Sequence, residues 1–225
     1  LAGDHLKECS DLGVPLVAVG FMYSQGYLHQ RILPDGWQDN IWELLDREAA
    51  PVRKVTDPSG RQLVLEVPGI HPAIKVAVWK VDVGKVPLYL LDTDIPENTP
   101  QARAISSRLY TGDKEQRLVQ EIVLGIGGRK VLSELGIDFS AVHLNEGHPS
   151  FALLERTREF IEDGLSFPDA LARVRGTSVF TTHTPVAAGH DVFPAPRSTS
   201  TFQGTTLRLA STGIPFSTLA GIRAI

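Results

Sequence analysis

The chain has 225 residues, of which 42% are hydrophobic and 21% charged, and a formal net charge of −4. These values are ordinary for a globular protein and leave no basic footprint for nucleic acid or an anionic membrane. A single cysteine, Cys9, excludes an internal disulfide framework and fits a reducing, cytoplasmic setting. No apolar run reaches the ~18 residues of a membrane span.

The chain opens on Leu-Ala-Gly-Asp-His-Leu-Lys, with neither Met nor signal peptide, and reads as entered in mid-element. Residues 2–12 are expected to form a short helix stopped at Gly13. The nearly unbroken apolar run 15–23 has the pattern of a strand covered on both faces. A polar, aromatic stretch follows, with Tyr27, Trp37 and Trp42 and a turn signal at Pro34-Asp35-Gly36. Three strands are predicted over 62–67, 74–83 and 86–92, joined by Pro58-Ser59-Gly60 before the first and Gly84-Lys85 between the last two. They read as an antiparallel insert rather than a βαβ unit.

Beyond a loop at 92–100, residues 101–110 are expected to be helical, and 113–135 more strongly so. Leu118, Ile122, Ile126 and Leu132 lie on one face of the second helix. Gly125, Gly127 and Gly128 interrupt it at a cost of about 1 kcal/mol each, which close packing would offset. They make a poor dinucleotide fingerprint, because no strand precedes them. A strand at 139–144 leads to Pro149 in the first turn of a helix that runs to about 163, with an apolar stripe of Leu153, Leu154, Phe160 and Ile161. A helical turn or two at 168–175 and a β-branched strand at 177–182 follow. The order of elements implies α/β architecture. From 195 the composition turns to Ser and Thr without an acid, and this tail is expected to be poorly ordered or mistranslated.

Two segments carry the chemistry. Residues 143–151 read His-Leu-Asn-Glu-Gly-His-Pro-Ser-Phe, and residues 180–193 read Phe-Thr-Thr-His-Thr-Pro-Val-Ala-Ala-Gly-His-Asp-Val-Phe. Each is an apolar or β-branched run ending in proton-active residues and then Pro or Gly, the grammar of strand carboxyl ends where α/β sheets bind ligands. Asn145, Glu146, His148, His183 and Thr184 could therefore share one crevice. The His-x-x-Glu-x-His spacing at 143–148 is not the His-Glu-x-x-His of a zinc site, and no metal is expected. Asn145 or Glu146 could instead only cap the following helix. His183 could be structural, and His190-Asp191 fits a loop hydrogen bond better than an acid/base pair. The aromatic residues Phe21, Tyr27, Trp37 and Trp42 fit packing, or stacking on sugar rings.

Further stretches give these motifs a context. They are Leu-Ala-Gly-Asp-His-Leu-Lys at 1–7, Gly-Val-Pro-Leu-Val at 13–17, Tyr-Ser-Gln-Gly-Tyr at 23–27 and Asp-Gly-Trp-Gln at 35–38. Leu-Asp-Thr-Asp-Ile-Pro-Glu-Asn at 91–98, Arg-Leu-Tyr-Thr-Gly-Asp at 108–113 and Arg-Leu-Val-Gln-Glu-Ile-Val-Leu-Gly-Ile-Gly-Gly at 117–128 continue the series. With the two site segments, and in this order, they resemble the α-glucan phosphorylases of the short bacterial and archaeal type over about residues 1–194.

The resemblance implies a two-domain GT-B glycosyltransferase fold. Residues 1–194 would form part of its N-terminal, Rossmann-like, glucan-binding domain, and 195–225 would be a divergent tail. It implies phosphorolysis of α-1,4-glucan by inorganic phosphate to glucose 1-phosphate, with pyridoxal phosphate as cofactor and the cofactor phosphate as proton donor. His183 matches the catalytic histidine that contacts the scissile glucosyl unit. Thr184 and Glu146 match neighbours of that sugar, and Asn145 and His148 have supporting roles in substrate binding. His5 and Asp4 match the segment just after the family's Gly-rich phosphate loop. That loop, the Schiff-base lysine and the phosphate-binding residues are expected outside this chain, which alone would be inactive. The alternatives are another GT-B glycosyltransferase such as a starch synthase relative, a non-catalytic glucan-binding module, and a metal-dependent hydrolase.

Overall fold

The computed structural model describes residues 2–26, 29–67, 70, 72–109 and 113–186. They divide into two compact units, one drawn from 1–64 and 75–112 and the other from 65–74 and 113–186. The predicted tail, Tyr27, and the His190-Asp191 pair lie outside the described residues.

In the first unit, α1 (Ala2–Leu12) ends where expected. Gly13 takes φ 69, and its N–H and that of Val14 close on the carbonyls of Ser10 and Cys9 at 3.1 and 2.9 Å. Strand β1 (Ala18–Phe21) follows, then the hairpin of β2 (His29–Ile32) and β3 (Gln38–Ile41), and the short β4 (Arg53–Lys54). The Pro34-Asp35-Gly36 signal is the turn of the β2–β3 hairpin, whose strands sequence reading missed because their residues are mostly polar and none is buried. Strand β5 (Val64–Val67) lies in sequence where the two units meet.

Strands β6 (Ile74–Val83) and β7 (Val86–Asp92) form the predicted hairpin. Gly84 supplies the positive φ (59°) of its two-residue loop. The antiparallel pairing is as expected, and β7 in addition pairs with β1 in parallel, so the hairpin shares one mixed sheet in the order β1-β7-β6-β4. Strand β1 is also shorter than the apolar run, and three of its four residues are only half-buried. Val76, Val78, Val86 and Leu91 are fully buried. The helix expected at 101–110 is a short α2 (Pro100–Arg103), N-capped by Thr99, followed by a 3-10 turn over Ala104–Ser106.

The second unit begins its helical part with α3 (Lys114–Ile122), capped by Asp113. A π-helical turn over Val123–Gly127 and then α4 (Gly128–Glu134) continue it. Leu118, Ile122 and Ile126 are buried as expected, but Val131 rather than Leu132 is the next apolar side chain to be buried. The wider π turn adds a residue and rotates the apolar stripe. Strand β8 (Val142–Asn145) leads through α5 (Phe151–Glu162) and α6 (Phe167–Gly176) to β9 (Ser178–Thr181). The two strands pair in parallel, which requires such a helical crossover.

The apolar stripe expected on α5 is only half-buried, and its buried residues are Glu155, Arg156 and Thr157. Arg156 reaches the Thr177 carbonyl and hydroxyl at 3.3 and 2.8 Å, and Glu155 takes two hydrogen bonds from Arg158. These polar partners tie the helix down where periodicity alone would place apolar residues.

Candidate active site at the ends of two parallel strands

The register Asn145↔Thr181 sets the carboxyl ends of β8 and β9 side by side, and the Glu146 N–H donates to the Thr181 carbonyl at 2.9 Å. The chain then turns sharply, with Glu146 at φ 64. Among the described residues it is the only one other than glycine with positive φ, a conformation that is costly for a residue with a β-carbon.

The turn points the Glu146 carboxylate at the segment after β9. Its Oε1 accepts the backbone N–H of His183 at 2.5 Å and the Thr184 hydroxyl at 3.3 Å. Its Oε2 accepts the Thr182 hydroxyl at 3.3 Å. The His183 N–H, foremost, and the two hydroxyls hold this carboxyl below its usual range. Glu146 is buried, whereas Asn145 and His183 are exposed and Thr184 is half-buried. His183 Nε2 lies 2.9 Å from Asn145 Oδ1. With that amide oxygen as acceptor, Nε2 is the donor.

Four of the five expected residues, Asn145, Glu146, His183 and Thr184, thus form one hydrogen-bonded group. His148 lies two residues past Glu146 in the turn before α5, and no hydrogen bond joins it to that group among the described residues. Neither Asn145 nor Glu146 caps α5: the cap is Ser150, without a side-chain bond. His143 bonds the Thr181 hydroxyl at 2.7 Å. Thr182 is the member that sequence reading passed over, and its signal was the unbroken polar run 181–184. Among the described residues no group of three or more His, Cys, Asp or Glu could hold a metal ion.

The group offers hydroxyls, an imidazole and an amide without a net cation, which suits a neutral hydroxylated ligand better than an anion. It contains neither lysine nor arginine, so these residues do not supply a Schiff base or a phosphate cradle. Lys130, in the same unit, instead bonds the Glu66 carbonyl at 3.1 Å.

No protein-family model matches the chain. Over 194 residues it is 49% identical to the maltodextrin phosphorylase of Thermococcus litoralis, covering 86% of this chain and 23% of that protein. It is 49% identical over 194 residues to the glycogen phosphorylase of Aquifex aeolicus, covering 28% of that protein. It is 48% identical over 201 residues to the glycogen phosphorylase of Mycobacterium tuberculosis, covering 23% of it. The chain therefore spans about a quarter of the length of these relatives. Over 86% of its length the chain is thus similar to a segment of proteins named as maltodextrin and glycogen phosphorylases.

Proposed function

We propose that the whole enzyme cleaves α-1,4-glucan with inorganic phosphate, and that the Glu146 group is part of the wall of its sugar site. The bond between the anomeric carbon and the glycosidic oxygen breaks. A bond from that carbon to a phosphate oxygen forms, and the phosphate's proton passes to the departing oxygen. The products are glucose 1-phosphate and a glucan shorter by one unit. The observation that carries the reading is the 49% identity over 194 residues to proteins named as phosphorylases of maltodextrin and glycogen.

In this reading residues 1–194 belong to the N-terminal, Rossmann-like, glucan-binding half of a GT-B fold, and 195–225 are a divergent tail. The location is cytoplasmic, and glucan and phosphate are the partners. His183, exposed and held through its N–H and its ring, contacts the glucosyl unit at the scissile bond. Thr184 and Asn145 add hydroxyl and amide contacts to the same sugar, and His148 lies in the adjoining turn. Contacts that strengthen as positive charge develops on the sugar ring lower the barrier, whereas contacts equally strong in the ground state do not. Pyridoxal phosphate supplies proton-transfer chemistry at phosphate when bound. The Glu146 group holds no lysine for it, and the reading sets the Schiff-base lysine outside this chain.

The test is release of glucose 1-phosphate from maltodextrin by the purified full-length protein. Release that requires inorganic phosphate is expected. Release of free glucose without phosphate would overturn the reading.

A further inference from the structure

We propose that Glu146 is a positioning residue: it fixes the segment 182–184 so that His183 and Thr184 are presented in one arrangement, and it does not itself bind the sugar. The inference rests on the phosphorylase reading for what the site binds, but not for what Glu146 does. A carboxylate offers about four lone-pair positions. Three are taken by the His183 N–H and the Thr182 and Thr184 hydroxyls, and both oxygens are engaged.

The side chain is buried, while the residues it holds are exposed or half-buried. The direction of support runs from beneath the segment toward its free face. The backbone agrees. At φ 64 a glycine would sit with less strain, yet the position carries a side chain, and that conformation is what aims it across to the neighbouring strand end. The Glu146 N–H is itself tied to the Thr181 carbonyl, one residue before the segment it holds. Backbone and side chain of one residue thus bracket the 181–184 turn from both sides.

Glu146→Ala, Glu146→Gln and Thr182→Val in the full-length protein decide the matter through hydrogen exchange at the 182–184 amides and steady-state kinetics with maltodextrin and phosphate. Glu146→Ala is expected to speed exchange at His183 by about 10-fold or more. Its kcat should fall by about 100-fold with KM changed far less, as for a misplaced catalytic group. Glu146→Gln keeps one oxygen to accept the His183 N–H and should recover all but about 10-fold of kcat. Adding Thr182→Val to Glu146→Ala should cost nothing further, because one interaction is removed twice.

Unchanged exchange in Glu146→Ala would overturn the proposal. So would a raised KM at constant kcat, the mark of a direct sugar contact. Should Glu146→Ala not fold, exchange at His183 in Glu146→Gln and Thr182→Val decides, and no acceleration in either overturns it. If the wild-type protein releases no glucose 1-phosphate, the phosphorylase reading fails, and the exchange measurement alone still settles the role of Glu146.

Discussion

Gly125, in the π turn, lies so close to the start of α5 that a β-carbon there would stand 2.6 Å from the backbone nitrogen of Ala152 and 2.7 Å from Cβ of Phe151. Both are first-turn atoms of α5 and cannot swing aside like the end of a long side chain. Gly125→Ala is therefore expected to push the helices apart despite alanine's better helix propensity. Overpacking of this kind costs about 1–3 kcal/mol. Denaturant unfolding of the full-length protein measures it, and an unchanged or raised midpoint would show that the contact relaxes. Because α5 begins five residues after Glu146, activity should fall as well.

Asp92 is only 2% exposed, and burial raises its carboxyl above the ordinary range even though Arg47 lies 3.0 Å away. It also accepts the Trp79 indole N–H at 3.2 Å and the Asp94 N–H at 2.9 Å. Asp92→Ala leaves the buried indole N–H without its acceptor and leaves Arg47 only the more distant Asp94 carboxylate at 3.6 Å. Leaving a buried donor unsatisfied costs roughly 1–3 kcal/mol. Asp92→Asn, which keeps one acceptor oxygen, should cost less. Equal midpoints for wild type and Asp92→Ala in a denaturant titration would show that the pair contributes nothing.

How much was legible in advance differs between the two units. The β6–β7 hairpin announced itself through clean alternation and Gly84-Lys85, and α1 through its Gly13 stop. The strand ends carrying Asn145 and His183 were legible because a polar run after an apolar one is a local signal. The β2–β3 hairpin was not, since its exposed polar strands have no buried face to impose a period. The burial of Glu155 and Arg156 was equally hidden, because it depends on partners such as Thr177 and Arg158 that no periodicity encodes. Nor could sequence tell that the Glu146 carboxylate turns toward 182–184 rather than toward α5, since that rests on one left-handed backbone angle.

The pH dependence of the Glu146 contact has a definite sign. Its folded pKa lies below the ordinary value of 4.5, chiefly through the His183 N–H. The stabilisation is therefore complete above the unfolded pKa and is lost as pH falls through the folded one. The difference in thermal stability between wild type and Glu146→Gln should be flat from about pH 7 to pH 5 and shrink below about pH 4, under the usual carboxylate range. A difference that grows on acidification would mean that the carboxyl is held in its neutral form.

Variants at His183 and Asn145 test the roles that the proposed function gives them. His183→Ala removes the ring that the proposed function sets against the sugar but leaves the backbone N–H on Glu146, so the loop stays anchored. Its expected signature is a fall in kcat far larger than any rise in KM, because a contact that matters only in the transition state lowers kcat and kcat/KM together. Asn145→Ala removes only the 2.9 Å partner of His183 Nε2, freeing the ring to rotate. It should lower kcat less, by about 10-fold, consistent with the loss of one orienting hydrogen bond of roughly 1 kcal/mol. In the His183→Ala background it should do almost nothing, since the residue it orients is gone. Steady-state kinetics on the two single variants and the double variant measure this. An unchanged kcat in His183→Ala would show that the ring is structural, and independent effects would place Asn145 on the substrate in its own right.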